Sequence, residues 1–482
     1  MNRRMVIYMV GQMIKIEALL FALPAAVSAL YGEKCLWTFL LCAGIALVVG
    51  FAFTLLFKPW NKIIFAKEGF IIVALSWVLM SVVGALPFVI SGEIPSFVDA
   101  FFETVSGFTT TGASILNDVE ALSRGIAFWR SFTHWVGGMG VLVFVMAIIP
   151  TVSDRSIHIL RAEMPGPIIG KLVPRAKKTA KILYLIYIAL TVAEILFLLC
   201  GGMPLYDSLI HTFGTAGTGG FGIKANSIAG YTPYLQWVIT IFMVVFGLNF
   251  NLFYLALIRH FRNVFKSGEM WCYLGIILTS IGIVTANIYS MYSGFSEALR
   301  HSSFQVASII TTTGFSTCDF NAWPELSKAI LFLLMFIGAC AGSTGGGLKV
   351  SRVIILAKTI KRDLHRMLHP RSVGTVRFEG KRLDESTINS VTSYFAIYVA
   401  LYTLAFIFLC FDPIKYGIET NATATAACFN NIGPGLGFVG PASSYSNYSD
   451  LSKIVLSVAM LLGRLEIYPI VFLVSPSTWT KR

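Results

Sequence analysis

Apolar runs long enough to cross the ~30 Å hydrocarbon core of a bilayer recur along the whole chain. Residues 36–57, 69–91, 182–202, 271–292 and 389–411 are such runs. By length alone, 482 residues would suggest several soluble domains. With 56% hydrophobic and only 13% charged residues, the chain is instead expected to be an all-α polytopic membrane protein. A barrel would need short segments of alternating polarity. The eight cysteines are scattered in or beside the apolar runs, without CxxC or Cys/His metal spacing, and read as small buried hydrophobes. Met1-Asn2-Arg3-Arg4 resembles the start of a signal peptide. Lys15 and Glu17 interrupt the run that follows and no clear small-x-small cleavage site is present, so a retained first helix is expected.

Four short polar, glycine-ended stretches stand among these runs. They are Phe108-Thr109-Thr110-Thr111-Gly112, Thr218-Gly219-Gly220-Phe221, Thr311-Thr312-Thr313-Gly314-Phe315 and Phe429-Asn430-Asn431-Ile432-Gly433. Their spacing of roughly a hundred residues points to one structural unit used four times. The segments 5–30 and 36–57 lack such a loop and form a leading pair, residues 1–67. Four repeats follow at 68–180, 181–268, 269–385 and 386–482. Each reads as a long apolar segment, a short one (96–108, 205–216, 296–310, 417–429), the loop and a second long segment (125–150, 232–258, one from 326, 451–474). The short segments have about half the ~20 residues a spanning helix needs. They are expected to enter the membrane and return through their loops, which non-helical backbone can do only inside protein or beside a wet cavity.

The net charge of +13 could suggest nucleic acid, but its distribution argues for topology. With a cytoplasmic N-terminus and two full spans per repeat, most of the 37 lysines and arginines fall inside. They lie in Lys58–Lys67, Arg155–Lys181, Arg259–Lys266, Lys349–Arg382 and the two termini. Acidic residues such as Glu93, Asp118, Glu120, Asp207, Asp319 and Glu419 fall outside, where they raise the local cation concentration. The expectation is ten spans, both termini cytoplasmic and four re-entrant loops facing out.

A dehydrated monovalent cation needs oxygens in place of its water, and rings of backbone carbonyls supply them. Turning carbonyls inward takes backbone angles that glycine adopts at least cost. Threonine adds hydroxyl oxygens, and half-helices ending at the loops aim their negative ends at the ion. Single Thr-Gly loops are ordinarily turns between packed helices. Four of them, each after a half-length helix and all on one side, point to a filter. Its expected residues are Thr110, Thr111, Gly112; Thr218, Gly219, Gly220; Thr312, Thr313, Gly314; and Asn431, Ile432, Gly433.

The arrangement resembles the superfamily of Trk, Ktr and HKT potassium transporters over essentially the whole chain. Its most specific stretches are Phe101-Phe102-Glu103-Thr104-Val105-Ser106-Gly107-Phe108-Thr109-Thr110-Thr111-Gly112-Ala113 and Trp129-Arg130-Ser131-Phe132-Thr133-His134-Trp135-Val136-Gly137-Gly138-Met139-Gly140. The leading helix pair looks like the bacterial Trk branch. The resemblance implies four membrane–pore loop–membrane repeats around a central pore, with K+ as the transported ion. Gly112, where sodium-permeable plant members carry serine, implies potassium selectivity. The glycine-rich second loop and Asn431-Ile432 in the fourth depart from the family's simplest pattern and leave the coordinating atoms open. The resemblance further implies a homodimer and a cytosolic, TrkA-like nucleotide-binding subunit at the inner membrane. The basic linkers by themselves suit anionic lipid.

Gly338-Ala339-Cys340-Ala341-Gly342-Ser343-Thr344-Gly345-Gly346-Gly347 interrupts the second span of the third repeat. Small residues also serve close helix packing, but three consecutive glycines exceed that need. The resemblance implies an intramembrane gating loop here, with Gly345, Gly346 and Gly347 as its gate residues. Arg464 lies midway along the last span, where a charge is costly and faces a polar interior. Glu466, two residues on, points to another face. The resemblance puts Arg464 at the pore beside the gating loop, as a barrier to cations. His134 and His211 are expected to pack or hydrogen-bond, Asn249 and Asn251 to bond across helices, and Glu103 to bond backbone behind the filter. Channel-like uptake and a sodium- or proton-coupled symporter both remain open, although Glu17, Glu194 and Glu466 are the few carboxylates in the spans. No HExxH, GxSxG or P-loop occurs, and an enzyme is not expected.

Overall fold

The computed structural model describes residues 2–60, 64–140, 176–372 and 374–479, with side chains of 176–179 excepted. Lys62, residues 141–150 of the first repeat's second segment, Arg155, Arg161, Lys171, Arg175, Lys481 and Arg482 lie outside the described residues.

The leading pair comprises α1 (Arg3–Leu20), continued by α2 (Ala22–Leu30), and α3 (Cys35–Leu56). The two arms cross closely because glycine meets glycine. A Cβ on Gly50 would lie 3.0 Å from the Gly11 carbonyl oxygen and 2.5 Å from Lys15 Cγ. Gly50→Leu should therefore lower the melting temperature of the detergent-solubilised protein, by the ~1–3 kcal/mol typical of overpacking. An unchanged melting curve would mean that the crossing contributes nothing to stability.

Each repeat then runs in the expected order. The first spans are α4 (Ala66–Ser91), α7 (Ala176–Cys200), α12 (Gly268–Ile288) and α16 (Glu385–Leu409). The half-helices are α5 (Phe97–Phe108), α8 (Leu205–Gly217), α13 (Phe295–Ile310) and α17 (Ile418–Phe429). At 12 to 16 residues they reach only ~18–24 Å. Their last two turns are buried on every side, so the loops that follow emerge within protein rather than lipid.

The second spans of the repeats differ from the first spans in continuity. Among the described residues, six helices are long and apolar enough to cross a membrane. They are the two of the leading pair and the first span of each repeat. Three of the second spans are broken, and that of the first repeat is described only as far as Gly140. α6 (Arg124–Gly138) stops at Gly138. α9 (Pro233–Phe246) and α10 (Phe250–Leu257) meet at 90°. After the short α11 (Phe261–Phe265) and the third half-helix, α14 (Glu325–Phe336) is separated by the glycine-rich loop from α15 (Val350–Leu368). α18 (Asp450–Arg464) gives way to α19 (Tyr468–Val474) and α20 (Pro476–Trp479) through Glu466 and Ile467, both at positive φ. The breaks fall where the second spans touch the loop ends. A Cβ on Gly137 would lie 1.8 Å from the Phe108 carbonyl oxygen, and one on Gly463 2.0 Å from that of Phe429.

The segment Lys349–Arg382, expected as a basic linker, is largely ordered. α15 leads to a hairpin of β1 (Arg377–Phe378) and β2 (Lys381–Arg382), turned by Glu379 and Gly380 at positive φ. Glu379 docks it by accepting from the Glu269 N–H (2.9 Å) and Ser267 Oγ (3.2 Å) at the start of α12.

Candidate functional site

All four loops leave their half-helices through the same backbone motif. The N–H groups of Thr111, Gly219, Thr313 and Ile432 each donate at 2.8 Å to the carbonyls of Ser106, Gly214, Ser308 and Ala427, five residues back. This requires a left-handed residue one step earlier. Thr110, Thr218, Thr312 and Asn431 fill that position at φ 55°, 56°, 59° and 57°. For β-branched threonine it is a strained conformation, of order 1–3 kcal/mol each. Asparagine tolerates it better, so the fourth loop differs in side chains but not in backbone.

The loops close on one another as a ring. A Cβ on Gly112 would lie 2.0 Å from the carbonyl oxygen of Gly219, and one on Gly220 2.1 Å from that of Thr313. On Gly314 it would lie 2.0 Å from that of Ile432, and on Gly433 2.7 Å from that of Thr111. Each glycine, also at positive φ, thus packs on the carbonyl that precedes the next loop's glycine, in the order first, second, third, fourth, first. The twelve filter residues expected from the sequence are brought together.

Four different clasps hold the outgoing strands in the same order. Arg130 Nη1 donates to the Gly222 carbonyl (3.2 Å) between the first and second quarters. The Ser316 N–H donates to Ser227 Oγ (3.1 Å) between the second and third. Asn321 bonds both the N–H (3.0 Å) and the carbonyl (3.2 Å) of Gly437 between the third and fourth. The Tyr445 N–H donates to the Ser114 carbonyl (2.8 Å) between the fourth and first. Inside the ring, Asn431 Nδ2 donates to Thr111 Oγ1 (2.9 Å) and to the Met460 carbonyl (2.9 Å). Tyr398 holds Asn430 Oδ1 at 2.7 Å.

A cavity of about 170 Å³ is lined by all four glycines, with Arg130 and Lys224 at its wall. A smaller one of about 50 Å³ is lined by Gly138, Gly345, Lys349, Arg464 and Glu466 among others. Between the smaller cavity and the loop ends lies the glycine-rich segment. The Gly346 N–H donates to Thr312 Oγ1 at 2.7 Å. A Cβ on Gly345 would lie 3.0 Å from the Thr311 carbonyl oxygen, and one on Gly346 2.6 Å from that of Asn430. The Gly338 N–H donates to the Leu348 carbonyl (2.8 Å), which pinches the segment into a hairpin-like turn, with Gly347 packed on Gly338. Arg464 ties this segment to the first repeat. Nη1 donates to the Thr344 carbonyl (2.6 Å), and Nη2 to the carbonyls of Gly137 (2.5 Å) and Gly138 (2.7 Å).

Several expectations are met in detail and others corrected. Glu103 does bond backbone, accepting from the Ile115 N–H at 3.0 Å. His134 Nδ1 donates to the Gly107 carbonyl (2.7 Å), and its ring fills the space beside Gly219. His211 pairs with the Tyr231 hydroxyl (3.1 Å). Asn249 caps α10, accepting from the Asn251 N–H (3.0 Å), and its side chain also bonds Glu269 on α12. Glu466 pairs with Arg352, whose guanidinium lies 4.0 Å over the Tyr394 ring.

Lys349, Arg352 and Arg130 were missed. Lys349 and Arg352, assigned to a cytoplasmic linker, are each only 6% exposed. Lys349 donates to the carbonyls of Gly345 and Gly346, inside the glycine-rich turn. The available signal was its place directly after three glycines in an apolar span.

A helical membrane protein whose four quarters bring polar loops together around one axis is a transporter rather than an enzyme. The family model for TrkH, described as cation transport protein, matches residues 39–271 and 273–481. The chain is 35% identical to the Trk system potassium uptake protein TrkH of Salmonella typhimurium, over 99% of this chain and all of that one. It is 35% identical to the Trk system potassium uptake protein TrkG of Escherichia coli, over 99% and 98%. The crystal structure of the potassium transporter TrkH from Vibrio parahaemolyticus superposes with a TM-score of 0.89 at 31% identity, covering both chains fully. The chain belongs to the TrkH family of cation transport proteins.

Proposed function

We propose that this protein takes up potassium through a filter formed by Thr110–Gly112, Thr218–Gly220, Thr312–Gly314 and Asn431–Gly433. The supporting observation is the closed ring, in which each loop glycine packs on the neighbouring loop's carbonyl. Such a ring sets carbonyl spacing by backbone contact, the precondition for replacing an ion's water shell. The half-helix C-termini add negative potential beneath each loop. Gly338–Gly347, with Gly345, Gly346 and Gly347 against the loop ends, acts as the gate, and Arg464 holds it shut. Lys349 and Arg464 place two positive charges around the inner cavity, a barrier to cations while the gate is closed.

Transport follows the potassium gradient. A coupled symporter would need a carboxylate at the ion path. Glu17 and Glu194 are fully buried and line neither cavity, and Glu466 is paired with Arg352. By its likeness to Trk system proteins, the chain works as a homodimer in the cell inner membrane, with both termini cytoplasmic. A TrkA-like nucleotide-binding subunit bears on its gate. The repeats begin near residues 68, 181, 269 and 386.

The test is flux in proteoliposomes. Potassium should equilibrate down its own gradient, sodium should move much more slowly, and an imposed sodium or proton gradient should change nothing. Potassium accumulation driven uphill by either gradient would replace this reading with the symporter.

A further inference from the structure

Of the four clasps, only that between the first and second quarters is charged. Arg130 on α6 and Glu103 on α5 form a buried ion pair, with Nε 2.6 Å from Oε1. Glu103 faces three donors. Besides Arg130 it accepts from Ser114 Oγ (2.9 Å) and the Ile115 N–H (3.0 Å), which leads the first loop's outgoing strand back against its own half-helix. Arg130 reaches the other way, donating through Nη1 to the Gly222 carbonyl, two residues past Gly220. Its guanidinium carbon Cζ lies 3.4 Å from the centre of the Phe221 ring. Phe221 in turn packs at 4.2 Å on His134, the ring that fills the space beside Gly219.

One chain of contacts thus runs from Ser114 and Ile115 through Glu103, Arg130 and Phe221 to the back of the second loop. We propose that the Glu103–Arg130 pair is a positioning device that fixes the distance between the first two filter quarters and thereby the discrimination of potassium from sodium. The inference rests on the filter reading above.

Two features single this junction out for charge. The second loop is the glycine-rich one, with Gly219 where the first and third loops carry threonine, so it has no hydroxyl there to bond a neighbour. By contrast, Thr111 and Thr313 each bond a second threonine hydroxyl at 2.8 Å. A flexible quarter needs support from behind, and a planar guanidinium bonding in two directions supplies it. The pairing also offsets the Arg130 share of the positive charge at the larger cavity, which Lys224 lines as well. Arg130 lies on its wall, and without Glu103 its charge would face incoming cations.

The experiment compares potassium and sodium flux in proteoliposomes for Arg130→Lys and Ser114→Ala, with Gly112→Ser as the reference for the filter itself. Lysine keeps the charge but cannot bond Glu103 and Gly222 with one rigid fork. Arg130→Lys should lower the potassium-to-sodium ratio about tenfold while potassium flux persists. Ser114→Ala, which removes one of the carboxylate's donors at a partly buried site, should lower it in the same direction by a smaller factor. Elution as a single species and an unshifted melting curve identify folded protein. If folded Arg130→Lys keeps the parental ratio while Gly112→Ser changes it, the positioning role is wrong and the filter stands. If Gly112→Ser also leaves the ratio unchanged, the filter reading itself fails. Should Arg130→Lys not fold, Ser114→Ala decides, and a parental ratio there overturns the proposal.

Discussion

Replacing Gly314 by alanine is expected to cut potassium uptake about a hundredfold or more, the scale of loss for reacting groups displaced by ~1 Å. Two costs combine at this position. Alanine at φ 83° is strained by roughly 1–2 kcal/mol. Its Cβ would also stand 2.0 Å from the Ile432 carbonyl oxygen and 2.9 Å from Pro434 Cδ. The obstacle is backbone, which cannot rotate away, so the third and fourth quarters must part. Because the ring is closed, that displacement also reaches the junctions on either side. Gly32→Ala separates the two costs. Gly32 has a similar φ, 66°, but nothing within 4 Å of a built Cβ. That variant should lose a little stability and keep its uptake. Equal uptake in the Gly314→Ala and parental proteins would remove the close approach from the mechanism.

Neutralising Arg464 is expected to do the opposite. Arg464→Gln should raise resting potassium flux, measured without any regulatory subunit, about tenfold or more. The reasoning is electrostatic and mechanical together. The guanidinium places a charge at a depth where charge costs several kcal/mol, and it recovers this through three carbonyls on two elements. Removing it deletes a barrier to cations and frees Thr344 from Gly137 and Gly138. Arg464→Lys separates the two contributions, since lysine keeps the charge but lacks the fork that spans both elements. A leak in the glutamine variant alone identifies the charge as the barrier, and a leak in both identifies the tether. Unchanged flux in a folded Arg464→Gln protein would exclude a gating role for this residue.

The lysine that follows the glycine-rich turn shows why the sequence reached only part of this site. In sequence Lys349 heads a run of basic residues and reads as the start of a cytoplasmic segment. In the fold it turns back onto the carbonyls of Gly345 and Gly346. Sidedness follows from counting charges, but burial of one charge depends on which acceptors the backbone delivers to it. Arg130 and Glu103 were similarly visible as residues within conspicuous motifs, yet a separation of 27 residues gave no sign that they meet.

What the sequence determined by itself was local or periodic. The length and polarity of the apolar runs required a membrane-spanning helical chain, because each lipid-exposed backbone group must be satisfied within its own helix. Half-length segments ending in glycine required re-entrant loops, and their fourfold recurrence required that they be used together. Only the tertiary structure decided that second spans break at Gly247 and at Glu466–Ile467. A glycine in a membrane helix serves packing as readily as interruption, and the choice depends on the carbonyl it meets. The circular order of the ring, its four unlike clasps and the reach of Arg464 across 120 residues to Thr344 were likewise set by the fold. These contacts join segments whose separation along the chain bears no relation to their distance in space, so no pattern in the sequence encodes them.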